Sequence, residues 1–154
     1  MLKYSKLINM LKNLQFSNDS HESHPEESAL HHSIQAFIRA RKESNDKEFW
    51  VAALFHDVGK LIEIHGHEKL SVEILQSFGY QNEKVLWLIE NHMKMHWFLS
   101  GQLKRRGKIR SLLESPWISE LIHLRRVDAL SREIGIIPLF DEIEINNLLE
   151  KTNE

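Results

Sequence analysis

No cysteine occurs anywhere in the 154 residues. That one absence excludes disulfides, thiolate-bound metals and a cysteine nucleophile together. There is no apolar run of the roughly 18 residues that a membrane-spanning helix needs, and no hydrophobic segment of signal-peptide type. A cytoplasmic location and no membrane partner are therefore expected. Charge of one sign is lacking as well: the net charge is -2 with neutral histidines, so no global field advertises nucleic acid or a membrane surface. No segment alternates with the period of a strand and none repeats, which leaves an all-α fold. With 42% hydrophobic and 27% charged residues the chain can fill one sizeable core and cover it, and its length predicts a single domain over residues 1–154.

What the chain does hold is ten histidines. Without thiolates, a metal would be bound through imidazole nitrogen and carboxylate oxygen. The stretch Ala52-Ala53-Leu54-Phe55-His56-Asp57-Val58-Gly59-Lys60 is the centre of the chain. It begins as an apolar helix, then sets a histidine beside an aspartate with a glycine and a lysine behind. Adjacent helical residues point about 100° apart, so His56 and Asp57 converge only on something compact lying across that face. A divalent metal of the first transition row is one such object, and a buried His–Asp pair satisfying itself is the other reading. The supply of further ligand-type residues decides between them.

Taken in order, the chain reads as helix after helix. Leu2, Leu7, Ile8, Leu11 and Leu14 recur at helical spacing and predict a short opening helix with a core face, preferred over a membrane-surface anchor. Ser17 to Glu27 is a polar loop closed by His24-Pro25-Glu26-Glu27. A helix starting near Ser28 carries His31 and His32 and ends in Arg39-Ala40-Arg41-Lys42, charges that suit a helix C-terminus. His32, Ala36 and Ala40 share one stripe, where small residues let another helix approach closely. Asn45 or Asp46 caps the helix that runs into His56-Asp57. Gly59 marks a close approach or an irregular turn. His65-Gly66-His67-Glu68 is a turn into the next helix, which Gly79 closes. His92 continues the Val85–Ile89 stripe of the helix after that, with His96 one turn further on the same face.

The basic run from Lys104 to Arg110 has no interleaved aromatics and reads as a solvated loop. Pro116 suits the first turn of a long helix. Within that helix Leu121, Leu124 and Asp128 fall at i, i+3, i+7, which puts an acid on the buried stripe. It is costly there unless metal-bound or neutralised by Arg125 and Arg126. Phe140 to Leu149 predicts a last amphipathic helix. His32, His56, Asp57, His67, His92 and Asp128 thus each sit at a helix end or on an apolar stripe, with His96 a candidate seventh. That is too many imidazoles for one tetrahedral structural zinc. It suffices for two ions bridged by a carboxylate, with Asp57 the natural bridge.

The ordered set His32, His56-Asp57, Asp128 resembles the metal-dependent HD phosphohydrolase superfamily. His24-Pro25-Glu26, Leu30-His31-His32-Ser33, Ala53 to Lys60, Gly66-His67-Glu68, Asn91-His92-Met93-Lys94-Met95-His96, Lys108 to Leu113 and Arg126-Val127-Asp128-Ala129-Leu130 narrow it. This succession is similar to the HD domain of bacterial tRNA nucleotidyltransferases over residues 24–132, without the nucleotidyltransferase head. The resemblance implies a free-standing HD-type bundle of about seven or eight helices, with its metal-binding core over that range. It implies a phosphohydrolase that removes phosphate from nucleotides or opens 2′,3′-cyclic phosphates. His32, His56, Asp57 and Asp128 would hold a first divalent ion; His67 and His92, with His96, would hold a second, sharing Asp57. One or two ions drawn from Mn, Fe, Co, Ni, Zn or Mg are implied. Lys60, one turn after Asp57, would present a cation to phosphate, and Arg125 and Arg126 flank Asp128 as further phosphate-binding candidates.

Two rival functions share these residues. One is a di-iron oxygenase with a similar His/Asp shell, against which Lys60 speaks. The other is a non-catalytic module that senses a nucleotide or grips RNA through Lys104 to Arg110, against which the full ligand set speaks. A small-molecule nucleotide is favoured over an RNA end, because the net charge is -2 and the basic run has no stacking aromatics.

Overall fold

The structure is a computed structural model that describes residues 4–16, 28–133 and 141–150. Among the described residues there are eight α-helices, two short 3₁₀ turns and no strand. The helices are α1 (Ser5–Lys12), α2 (Ala29–Glu43), α3 (Lys47–Phe55), α4 (His67–Ser77), α5 (Glu83–Leu99), α6 (Arg106–Leu113), α7 (Ile118–Leu130) and α8 (Glu142–Glu150). The all-α expectation holds.

Helix α3 is the hub. It packs against α2, α5 and α7, and Phe49, Val51, Ala52, Ala53, Leu54 and Phe55 are all buried. A helix covered on every side needs no polar face, and this one is apolar all round. Each fully buried leucine or phenylalanine contributes about 1.5–3 kcal/mol, so the helix that delivers His56 and Asp57 is firmly anchored. Ala36 and Ala40 of α2 are fully buried, as the small-residue stripe predicts.

Side-chain caps start four of the described helices, Asp141 accepting from the Glu144 N–H at 3.0 Å ahead of α8. The Ser28 hydroxyl accepts from the His31 N–H at 3.1 Å, Asp46 from Glu48 at 3.0 Å, and Asn82 from Val85 at 3.0 Å. Each satisfies a backbone donor that the helix leaves without a partner. Gly66 enters α4 with φ of 77° and Gly79 leaves it with φ of 85°, a left-handed region that favours glycine.

At one end α1 packs on α8. The Tyr4 N–H donates to Asn146 Oδ1 at 2.8 Å, and Lys12 pairs with Glu142. Leu7, Ile8, Leu11 and Leu14 are buried, so the opening helix belongs to the core; Leu2, the Ser17 to Glu27 loop and Phe140 lie outside the described residues. No described helix is long and apolar enough to cross a membrane.

Three expectations need correction. Helix α3 stops at Phe55, so His56 and Asp57 lie beyond its last turn rather than within it. Pro116 sits in the turn ahead of α7, not in its first turn. The basic run is not a loop throughout: Arg106 to Arg110 begin α6, because Ile109 and Leu112 turn inward while Arg106, Lys108 and Arg110 stay exposed. A basic segment with inward apolar residues at helical spacing folds as an amphipathic helix.

Candidate metal centre

Five elements converge on one point. His32 comes from α2, His56 and Asp57 from the end of α3, His67 from the first residue of α4, His92 from α5 and Asp128 from the last turn of α7. The four histidines and Asp57 are buried.

The break in the helix after α3 makes this convergence work. Past Phe55 the backbone turns and tightens into a 3₁₀ turn, Val58–Leu61, against which α4 packs closely. A Cβ on Gly59 would lie 2.2 Å from the His67 carbonyl oxygen and 2.6 Å from the Ser71 amide nitrogen, so only glycine lets α4 come this near. Ser71 staples the contact. Its hydroxyl accepts from the Gly59 N–H at 2.8 Å and lies 3.1 Å from the His56 carbonyl and 2.8 Å from the His67 carbonyl. Sequence reasoning missed Ser71; its only trace was a small polar residue on the inner face of α4, one turn after His67.

All four rings are held the same way round. Nδ1 of His32 faces the Ser131 carbonyl at 2.8 Å, His56 the Ala53 carbonyl at 2.7 Å, His67 the Ile64 carbonyl at 3.0 Å and His92 the Ile89 carbonyl at 2.6 Å. A carbonyl only accepts, so each Nδ1 carries the proton. Each Nε2 of a neutral ring then turns a lone pair inward. The consequence is plainest between His67 and His92, whose Nε2 atoms stand 3.2 Å apart: when both rings are neutral, neither has a proton to offer there. The buried Nε2 of His56 has no hydrogen-bond partner. Inward lone pairs without donors are what a metal ion satisfies, and a ring N–H given to a backbone carbonyl is the usual outer support of a metal-bound histidine.

Asp57 divides the cluster. Its Oδ2 lies 3.4 Å from His56 Nε2 and 3.7 Å from His32 Nε2; its Oδ1 lies 3.0 Å from His67 Nε2 and 3.6 Å from His92 Nε2. Two groups therefore share this one carboxylate, His32–His56–Asp57 and Asp57–His67–His92. Within each, the ligand atoms fall inside 4.8 Å of one another, close enough to hold an ion. Asp128 adds a second carboxylate on the first side, with Oδ1 2.6 Å from His32 Nε2 and 3.4 Å from His56 Nε2.

The electrostatics favour a cation here. Burial alone would raise the Asp57 carboxyl, but His56, Lys60 and His67 hold it well below the usual carboxylate range. Asp128 is also held well below that range, since His32 and His56 outweigh its burial. Burial would lower His56; Asp57 and Asp128 overcome it and push the imidazole up to about 10. A proton is the simplest cation this site attracts, and a divalent ion suits it better because it meets every inward lone pair at once. His92 is lowered, first by burial.

A cavity of about 670 Å³ opens over the second group, with Asp57, His67, His92 and Asp128 in its wall. Lys60, Arg125 and Arg132 bring positive charge to it: Lys60 Nζ is 3.5 Å from Asp57 Oδ2, Arg125 4.0 Å from Asp128 Oδ2 and Arg132 3.4 Å from Asp128 Oδ1. The buried Nε of Arg125 has no hydrogen-bond partner.

Three differences from the sequence reading stand out. Arg126 is exposed and does not line the cavity, because one helical step of about 100° carries it away from the face that Arg125 shares. Arg132, which the sequence reading passed over, sits one turn after Asp128 and takes that place. His96 lines the cavity without joining either ligand group; burial and Arg125 lower its pKa.

The His/Asp groups fit a divalent ion on the evidence of the orphaned His56 nitrogen and the shared ring orientation. No match was found among curated proteins. The family model described as HD domain matches residues 23–144, a span that takes in all six converging residues; the chain belongs to the HD domain family, within the metal-dependent phosphohydrolase superfamily.

Proposed function

We propose that the chain is a divalent-metal-dependent phosphohydrolase acting on a small nucleotide-type phosphoester, a nucleoside monophosphate or a 2′,3′-cyclic phosphate. The observation that carries this is the pairing of inward imidazole lone pairs on a shared Asp57 with three cationic side chains in one cavity. His32, His56, Asp57 and Asp128 would hold one ion, and His67, His92 and Asp57 a second. When bound, such a pair supplies a water of lowered pKa and takes up charge on the phosphoryl oxygens.

The chain's own residues do the remaining work. Lys60 and Arg125 present donors to non-bridging phosphate oxygens, and in a cavity partly closed to water these charges act strongly on the transition state. Arg132 and Lys60 each stand near one carboxylate, which steadies Asp57 and Asp128 in their ionised forms. Oxygen chemistry has little use for three cations around the metals, which weighs against an oxygenase. A mononucleotide is favoured over an RNA strand, because α6 and its basic residues stand outside the cavity wall.

The test is a hydrolysis panel under Mn, Fe, Co, Ni, Zn and Mg, covering nucleoside monophosphates, 2′,3′-cyclic nucleotides, dinucleoside polyphosphates and an aryl phosphate. Metal-dependent release of phosphate or opening of the cyclic ester is expected. No turnover of any phosphoester with any of these ions would overturn the reading.

A further inference from the structure

Helix α5 turns two neighbouring stripes toward the cavity. His92 and His96 form one; Met93 and Trp97, also four residues apart, form the next. Most of the other large apolar side chains of α5 have a different use. Leu88, Ile89 and Met95 are buried in the core, and Trp87 and Phe98 pack against it. Met93 and Trp97 are half-buried and line the cavity instead, on the helix whose His92 faces Asp57 Oδ1.

The position of Trp97 is fixed by its backbone. Its carbonyl accepts from the Gln102 N–H at 2.7 Å and from the Leu103 N–H at 3.0 Å, so the chain beyond α5 folds back and closes the helix end that carries the indole. A large flat ring left against water forgoes burial unless something apolar covers it. The same cavity holds the carboxylates and the cations Lys60, Arg125 and Arg132, so its ligand is charged at one end and flat and neutral at the other. From His92 to Trp97 the helix rises about 7.5 Å, the reach of a sugar between a phosphate and a base.

We infer that Trp97, backed by Met93, is the platform on which the substrate's nucleobase stacks while its phosphate lies over Asp57. This rests on the phosphohydrolase reading above and deepens it: the indole is what separates nucleotides from other phosphoesters. Stacking on an aromatic face tolerates any base, because every base has a π-face.

The experiment compares adenosine 5′-monophosphate with ribose 5-phosphate, which has the same phosphate and sugar but no base, on the metal-loaded protein. Trp97→Ala should lower the ratio of kcat/KM for the nucleotide over the sugar phosphate by roughly 5- to 150-fold, the range that losing one base–aromatic stack covers. Trp97→Phe should restore most of it. An unchanged ratio in Trp97→Ala, or equal losses on both substrates, overturns the inference while leaving phosphohydrolysis intact. A wild type that turns over neither compound removes nucleoside monophosphates from the proposed substrates, and the phosphohydrolase reading is then decided by the wider panel above. Calorimetric binding of the nucleotide then judges the platform separately: binding that Trp97→Ala weakens and Trp97→Phe keeps supports it, and no binding overturns it.

Discussion

On one side of Asp57, the fully buried His32 and His56 face Oδ2 behind the cavity wall and meet a second carboxylate, Asp128, which itself lines the cavity. On the other, His67 and His92 face Oδ1, stand 3.2 Å from each other and form part of the cavity wall. The ligand chemistry of the two halves is nearly the same, but their surroundings are not. Two carboxylates and two fully buried imidazoles favour a tightly kept ion in the inner half. One shared oxygen and an open side favour an exchangeable ion in the outer half, where a substrate can reach it. Similar residues would thus take different jobs through depth and charge.

The largest expected effect is one that removes both halves together. Asp57→Ala takes away the oxygen that each side uses, so metal content and turnover should vanish jointly. Activity should fall by more than the roughly 10- to 100-fold that loss of an outer-shell partner costs. Elemental analysis of the purified variant beside its turnover is the check, and a normal metal complement would sink the shared-carboxylate account.

Separating the halves comes next. His67→Ala should lose about one ion per chain and keep the inner one, whereas His32→Ala should deplete the inner ion. Stoichiometry and affinity by equilibrium dialysis distinguish them, since the ion that His67→Ala keeps should be the tighter of the two and the one that His32→Ala keeps the weaker. Loss of both ions from each variant would mean the halves are one site, and unchanged stoichiometry in His67→Ala would leave a single-ion protein.

Gly59→Ala reaches the outer half through the backbone. The new Cβ has no room beside the His67 carbonyl and the Ser71 amide, so α4 must shift. Overpacking of this kind costs about 1–3 kcal/mol, read as a lower urea midpoint, and the outer ion should weaken more than the inner. A variant of wild-type stability would show that the approach of α4 is not tight.

The two halves should also differ in their pH response. In the metal-free chain His56 is raised from 6.5 to about 10, so across that window an entering ion must displace its proton. Inner-ion affinity should therefore climb by about tenfold per pH unit between those values and level off above. His92 is shifted the other way and is already deprotonated at neutral pH, so its proton weakens outer-ion binding only in the acid range, below pH 6.5. Metal titrations at several pH values test this, and parallel curves for the two ions would remove the asymmetry.

Much of the centre was legible before any coordinates. Helical spacing placed His32, His92 and Asp128 on inward stripes, and the His56-Asp57 pair sat at the end of the most apolar helix. Three of the four ring orientations are local as well, each Nδ1 meeting the carbonyl three residues back: Ala53, Ile64 and Ile89. The fourth is not. His32 is turned by Ser131, 99 residues away, and no periodicity connects them.

The sequence by itself determined the all-α class, the apolar hub and the identity of the six converging side chains, because burial stripes and ligand types are written in spacing and chemistry. Only the tertiary structure decided how Asp57 is divided, since that carboxylate lies past the end of α3, where the helical step no longer says which way a side chain points. It decided too that Arg125 and Arg132 face the cavity while Arg126 does not, and that His96 lies outside both ligand groups although it shares a stripe with His92. A stripe sets a direction. Which groups meet there depends on how closely the neighbouring helices approach, and that distance is set by contacts such as Gly59 against α4, between residues far enough apart in the chain that spacing says nothing about them.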